Sequence, residues 1–152
     1  MRHCRNKWTC SLIAHNAGEM PLHDYWKVLN MATVDLTTET FQKTIDQTGI
    51  VLVDFWASWC GPCRQFAPIY DEASTKHTEV TFGKVDTDAQ QELAAAANIK
   101  SIPTLMAFRG GILVFSQAGV LPAAALDEVI EKVAALDMEE VKKQVEEENN
   151  QN

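Results

Sequence analysis

Hydrophobic residues fall along this chain in short runs parted by polar, glycine- or proline-bearing stretches, and the spacing within each run assigns an element. Ile50 to Ala57 is short, β-branched and aromatic, with Gly49 before it and Ser58 after it. This predicts a strand apolar on both faces, as in the middle of a sheet. From Cys60 onward Phe66, Ile69 and Ala73 recur at helical spacing, and Pro62 falls where a first-turn proline loses no intrahelical hydrogen bond. The pattern predicts a helix that begins at Cys60 and kinks at Pro68.

The flanking runs extend the alternation. Thr33 to Leu36 reads as a brief strand, and Thr37 or Thr38 caps a helix that carries Phe41 and Ile45 and stops at Gly49. Glu79 to Val85 alternates as a strand and ends at Asp86-Thr87-Asp88, a helix-start cluster opening a helix over Ala89 to Ala97. Leu105 to Phe108 and Ile112 to Phe115, joined by Gly110-Gly111, form a hairpin. A last helix opens near Pro122 and buries Leu126, Val129, Ile130 and Val133. The order β, α, β, α, β, α, β, β, α predicts an α/β fold, a mixed central sheet flanked by helices on both faces, with the hairpin strands antiparallel to their neighbours.

Length and charge narrow the functional classes. A chain of 152 residues, 46% hydrophobic, suits one soluble domain with length to spare. That domain is expected over residues 31–137. Residues 1–30 show no sustained period and read as a disordered extension or a start-site artefact, since MATVDLTTETFQ begins cleanly at Met31. Residues 138–152 are charged and amide-rich, with only Val141 and Val145 as apolar marks, and read as a solvated acidic tail. A formal net charge of −8 argues against nucleic acid or an anionic membrane as partner, and no apolar run approaches the ~20 residues of a membrane span.

The chemistry centres on Cys60-Gly61-Pro62-Cys63. At a helix N-terminus the unpaired N–H groups and the dipole favour a thiolate, the nucleophilic form. With two residues between them the sulfurs close a disulfide without backbone movement, so Cys63 resolves what Cys60 attacks. Half of a zinc site is the other use of such a pair, but it needs further ligands. Cys4 and Cys10 lie far upstream, and with His3, His15 and His23 they match no common ligand spacing. No metal is expected. Four cysteines without a scaffold pattern fit a reducing compartment, the cytoplasm.

Trp59-Cys60-Gly61-Pro62-Cys63, with Asp54, Phe55 and Trp56 upstream, resembles the active-site segment of the thioredoxin family, which the physical chemistry of this motif takes as a reference case. The resemblance covers Met31 to about Leu136 and includes Lys84, Pro103 in Ser-Ile-Pro-Thr, Gly111 and Gly119. Arg64 and Ser101 depart from the residues frequent there. The resemblance implies the thioredoxin fold, with Asp54 as the group that deprotonates Cys63, and Pro103 as a cis-proline beside the cysteines. It also implies a target-binding rim of Trp59, Gly61, Pro62, Ile102, Pro103, Gly119 and Val120. An aspartate in an apolar strand independently predicts a raised pKa suited to proton exchange. Lys84, on the neighbouring strand, is expected to pair with Asp54 and modulate it.

The implied activity is protein-disulfide reduction that maintains cell redox homeostasis, by a monomer that binds no cofactor. Electrons would come from thioredoxin reductase, which uses NADPH and a flavin, and pass to oxidised target proteins. A secreted oxidant or isomerase is the redox alternative, disfavoured because a histidine between the cysteines, rather than Gly-Pro, makes a disulfide more oxidising. A non-catalytic interaction module with an idle dithiol is the alternative from another class.

Overall fold

The computed structural model describes residues 32–151. They form β1 (Thr33–Asp35), α1 (Thr38–Ile45), β2 (Ile50–Trp56), α2 (Gly61–Lys76), β3 (Thr81–Asp86), α3 (Gln91–Ala96), β4 (Thr104–Arg109), β5 (Ile112–Ala118), α4 (Ala123–Ala135) and α5 (Met138–Asn150). The strands make one mixed sheet in the order β1-β3-β2-β4-β5, with β1 and β2 parallel to β3, β4 antiparallel to β2 and β5 antiparallel to β4. The first thirty residues, with Cys4, Cys10 and three histidines, lie outside the described residues.

The run Ile50 to Trp56 is apolar on both faces because β2 is central and covered twice. On one face Leu52 joins Phe82, Leu105 and Ala107 under Phe66, Tyr70 and Ala73 of α2 and Leu126, Ile130 and Val133 of α4. On the other, Val51, Val53 and Phe55 join Val85, Met106 and Phe108 under Ile45 of α1 and Leu93 of α3. Each such buried side chain contributes about 1.5–3 kcal/mol of transfer free energy. A Cβ at Gly83 of β3 would collide with the Leu36 side chain, 2.5 Å from its Cδ1, so that side chain would have to shift.

Several boundaries move for local reasons. Thr37 caps α1 in a reciprocal box, its Oγ1 accepting from Thr40 N–H while Thr40 Oγ1 accepts from Thr37 N–H. That helix ends at Ile45 rather than Gly49, with Gly111 N–H of the hairpin turn donating to the Ile45 carbonyl at 3.0 Å. The strand expected from Glu79 starts at Thr81, because the Val80 N–H closes a turn onto the His77 carbonyl. The helix expected from Ala89 starts at Gln91: Asp86 Oδ1 accepts from Asp88 N–H at 3.0 Å and holds this stretch as a turn. Pairing with β4 carries β5 past Phe115 to Ala118, while α2 runs uninterrupted through Pro68.

The acidic stretch after Leu136 is helical, not a prolongation of α4. Leu136 and Asp137 are extended, and the Asp137 carboxylate accepts from Glu139 N–H at 3.0 Å to cap a new helix. No residue of α5 is buried.

Candidate functional site

β2 delivers the chain to a turn in which Cys60 N–H donates to the Ala57 carbonyl at 3.2 Å, and Cys60 becomes the N-cap of α2. Its Sγ accepts from Cys63 N–H at 3.2 Å, one of the first-turn donors that no helix carbonyl satisfies. Cys60 and Cys63 form a disulfide across a Cα–Cα distance of 5.3 Å, inside the span that closes without distortion. Both residues are buried, in a small cluster with Ala57 that Trp56 and Ile102 flank.

The loop before β4 approaches the sulfurs from the other side. The Ile102 carbonyl oxygen stands 3.7 Å from Cys60 Sγ, and the Ile102–Pro103 bond is cis. Thr104 Oγ1 donates to the Ser101 carbonyl at 2.6 Å, and Gly119 N–H donates to the Pro103 carbonyl at 2.8 Å. Gly119 adopts φ 99°, a conformation costly for any residue with a Cβ. Pro103 itself is fully buried. Trp59 is 67% exposed, with Pro62, Gly119 and Val120 also exposed and Gly61 and Ile102 half-buried. The Trp59 indole is not free to swing, because its Nε1–H donates to Asp88 Oδ2 at 3.0 Å.

Asp54 lies on the α2-covered face of β2 and is 1% exposed. Its Oδ1 has no hydrogen-bond partner among the described residues. Burial pushes the Asp54 carboxyl up to about 7; the Lys84 charge opposes this and the Asp71 charge adds to it. Tyr70, enclosed next to it, is also raised well above its usual value, by burial and then by the two carboxylates.

Lys84 is the register neighbour of Asp54 across the parallel β2–β3 pair. Its ion-pair partner is nevertheless Asp71 on α2, at 3.8 Å from Nζ to Oδ1, and its ammonium stands 5.6 Å from the centroid of the Trp56 ring. The expected pairing with Asp54 is therefore a longer-range electrostatic one.

Two residues of this region escape a reading of the sequence. Asp71 looks like any solvated helix acid, and Asp88 like part of a helix-start cluster; their contacts reach 13 and 29 residues along the chain. No local signal marks either.

Among the described residues no helix is long and apolar enough to cross a membrane. The family model described as thioredoxin matches residues 32–132. A candidate thioredoxin 2 of Streptomyces coelicolor is 52% identical over 120 residues, covering 79% of this chain and 90% of that protein. Thioredoxin 1 of a Nostoc species is 43% identical over 103 residues, covering 66% of this chain and 96% of its own. Among solved structures, the thioredoxin of Plasmodium falciparum superposes with a TM-score of 0.60 at 39% identity, over 64% of this chain and 96% of that one. That of Malassezia sympodialis gives 0.61 at 28% identity, over 66% and 91%. The chain thus shares with these relatives a large part of its sequence and with the solved structures its fold. The chain belongs to the thioredoxin family, and the chemistry of its Cys60–Cys63 pair is dithiol–disulfide exchange, that of a thiol–disulfide oxidoreductase.

Proposed function

We propose that this chain is a general protein-disulfide reductase in which Cys60 attacks, Cys63 resolves and Asp54 moves the proton between them and solvent. The observation that carries the reading is the disulfide with Cys60 as the N-cap of α2, the helix that follows the strand carrying the one buried acid among the described residues, Asp54, whose carboxyl is pushed up to about 7. In the reduced protein the Cys60 thiolate attacks a target disulfide, forming a Cys60–target bond and releasing one target thiolate. Asp54 then accepts the Cys63 proton, and the Cys63 thiolate attacks Cys60 Sγ. The Cys60–Cys63 bond forms, the Cys60–target bond breaks, and two electrons have passed to the target. Lys84, electrostatically coupled to Asp54, tunes that proton transfer.

The exposed rim supports docking of an extended target segment. Trp59, Pro62, Gly61, Ile102, Gly119 and Val120 offer apolar contact, and the cis-Pro103 loop offers backbone groups beside the sulfurs. No cofactor is needed on this chain. The electrons come from thioredoxin reductase, which carries flavin and draws on NADPH, and the protein works as a cytoplasmic monomer. The domain spans 31–137, between a leader and a solvated acidic tail.

Insulin reduction coupled to NADPH oxidation through a thioredoxin reductase tests this directly. The full chain should turn over and Cys60→Ser should not. Cys63→Ser should accumulate covalent mixed disulfides on Cys60. If Cys60→Ser traps more target than Cys63→Ser, the two roles are reversed. If neither variant differs from the unaltered chain, the dithiol is idle.

A further inference from the structure

One ammonium, that of Lys84, stands near the ring of Trp56, which flanks the disulfide cluster, and has two carboxylates about it. Lys84 lies beside Asp54 in the sheet but makes its ion pair with Asp71 of α2. Asp54 Oδ1 and Asp71 Oδ1 are both buried, and neither has a hydrogen-bond partner among the described residues. The position of Asp71 is fixed by its neighbour: Tyr70 is fully buried, its hydroxyl donates to the Gly83 carbonyl at 2.9 Å, and its ring meets Phe82 edge-on at 5.1 Å. These contacts pin this turn of α2 over β3, one residue before Lys84.

We propose that Asp71 is a positioning residue for disulfide exchange: its carboxylate holds the Lys84 ammonium on the α2 side, and so sets the pH at which Asp54 changes from proton donor to proton acceptor. The proposal rests on the reading of Asp54 as the base for Cys63. The remaining neighbours leave this role to the three charged groups. β4 presents Leu105 opposite Asp54, and β2 adds Trp56 with its unpartnered Nε1. From α2 comes Tyr70. On α4, Asp127 is engaged with Lys76 and His77, and Glu128 with Lys132. Removing the Asp71 charge acts on Asp54 twice in one direction, since a like charge disappears and an opposite charge is released toward it.

The experiment is a carbon-13 titration of the Asp54 carboxyl in the full oxidised chain, paired with the pH profile of mixed-disulfide resolution. Asp71→Asn keeps the side-chain shape, and its site is about a third exposed (side chain 35%), so folding is retained. It should lower the Asp54 midpoint by roughly half a unit to one unit. Asp71→Glu, which returns the charge, should restore most of that shift. With Lys84→Gln already present, Asp71→Asn should move the midpoint less than half as far, because the released charge is gone. An unmoved or raised midpoint in Asp71→Asn, or an equal shift with and without Lys84, overturns the proposal. If the carboxyl midpoint moves while the resolution profile stays put, the assignment of Asp54 as base has failed instead, and the claim on catalysis falls with it.

Discussion

The two faces of β2 start from the same seven residues and end in different uses. Val51, Val53 and Phe55 look toward α1 and α3 and pack in one apolar cluster; Phe41 leans on Phe55 at 6.4 Å and stands edge-on to Phe108 at 5.7 Å. Leu52, Asp54 and Trp56 look toward α2. That face begins as core at Leu52, turns polar at Asp54 and ends under the disulfide loop. A sheet covered on both sides can stake its stability on one face and give up part of the other, at its C-terminal end, to a costly buried acid. In open α/β sheets ligands gather outside that same end of the strands.

Cutting the chemical face at its tip gives the largest effect. Cys60→Ser should lower insulin reduction by roughly 10³-fold or more, because it removes the thiolate proposed to make the attack. Melting of the reduced form should barely change. The opposite outcome, activity retained and stability lost, would make the pair a structural staple.

Cutting the packing face should do the reverse. Phe55→Ala removes a fully buried ring against Phe41 and should cost about 3–5 kcal/mol in urea unfolding. Below its unfolding midpoint the variant should keep the same pH midpoint for exchange, since Phe55 faces the opposite side of β2 from Asp54. A displaced midpoint would mean the two faces are not independent.

The packing face is the half that was readable from the sequence. A short β-branched and aromatic run names a doubly covered strand, and the helical spacing of Phe41 and Ile45 names one helix that covers it on this face. The cysteines and the acid were also readable, through motif spacing and through the anomaly of an aspartate in an apolar run. The partners of Lys84 and Trp59 were not. Whether an ammonium chooses the neighbouring strand or the helix above it depends on how Tyr70 seats α2, and that is decided by tertiary packing, not by local pattern. Helix ends moved for the same reason, as where the hairpin turn takes the carbonyl of Ile45.

A subtler cut falls between the faces. With its folded pKa raised from 3.8 to about 7, Asp54 holds its proton longer in the native than in the unfolded chain. The stability this gives up is nil below 3.8, grows as pH climbs through the window to about 7, and is complete above it. Asp54→Asn should therefore gain on the unaltered protein by about 4 kcal/mol between pH 4 and pH 9, on top of a constant offset from the buried amide. Resolution of mixed disulfides should slow by roughly 10–100-fold at pH 7 and recover as hydroxide takes over. A variant that melts earlier at pH 8 and exchanges at full speed would make Asp54 structural.

The smallest effect is expected farthest from both faces. α5 follows the end of α4, where Arg109 Nη1 donates to the carbonyls of Val133, Ala134 and Leu136 and so gives that helix end side-chain donors. Everything beyond Asp137 lies past this clamp. The helix buries no side chain, its Lys142–Glu139 pair is an exposed contact contributing no more than a few tenths of a kcal/mol, and 13 residues are marginal for an isolated helix. Removing residues 138–152 should thus leave exchange rates within about twofold and shift Tm by no more than roughly 2 °C. Met138, Val141 and Val145 stay half-buried on one side of α5 and give the test its edge. A drop in Tm of about 5 °C or more on truncation would mean that this stripe covers core that the clamp at Arg109 alone does not protect.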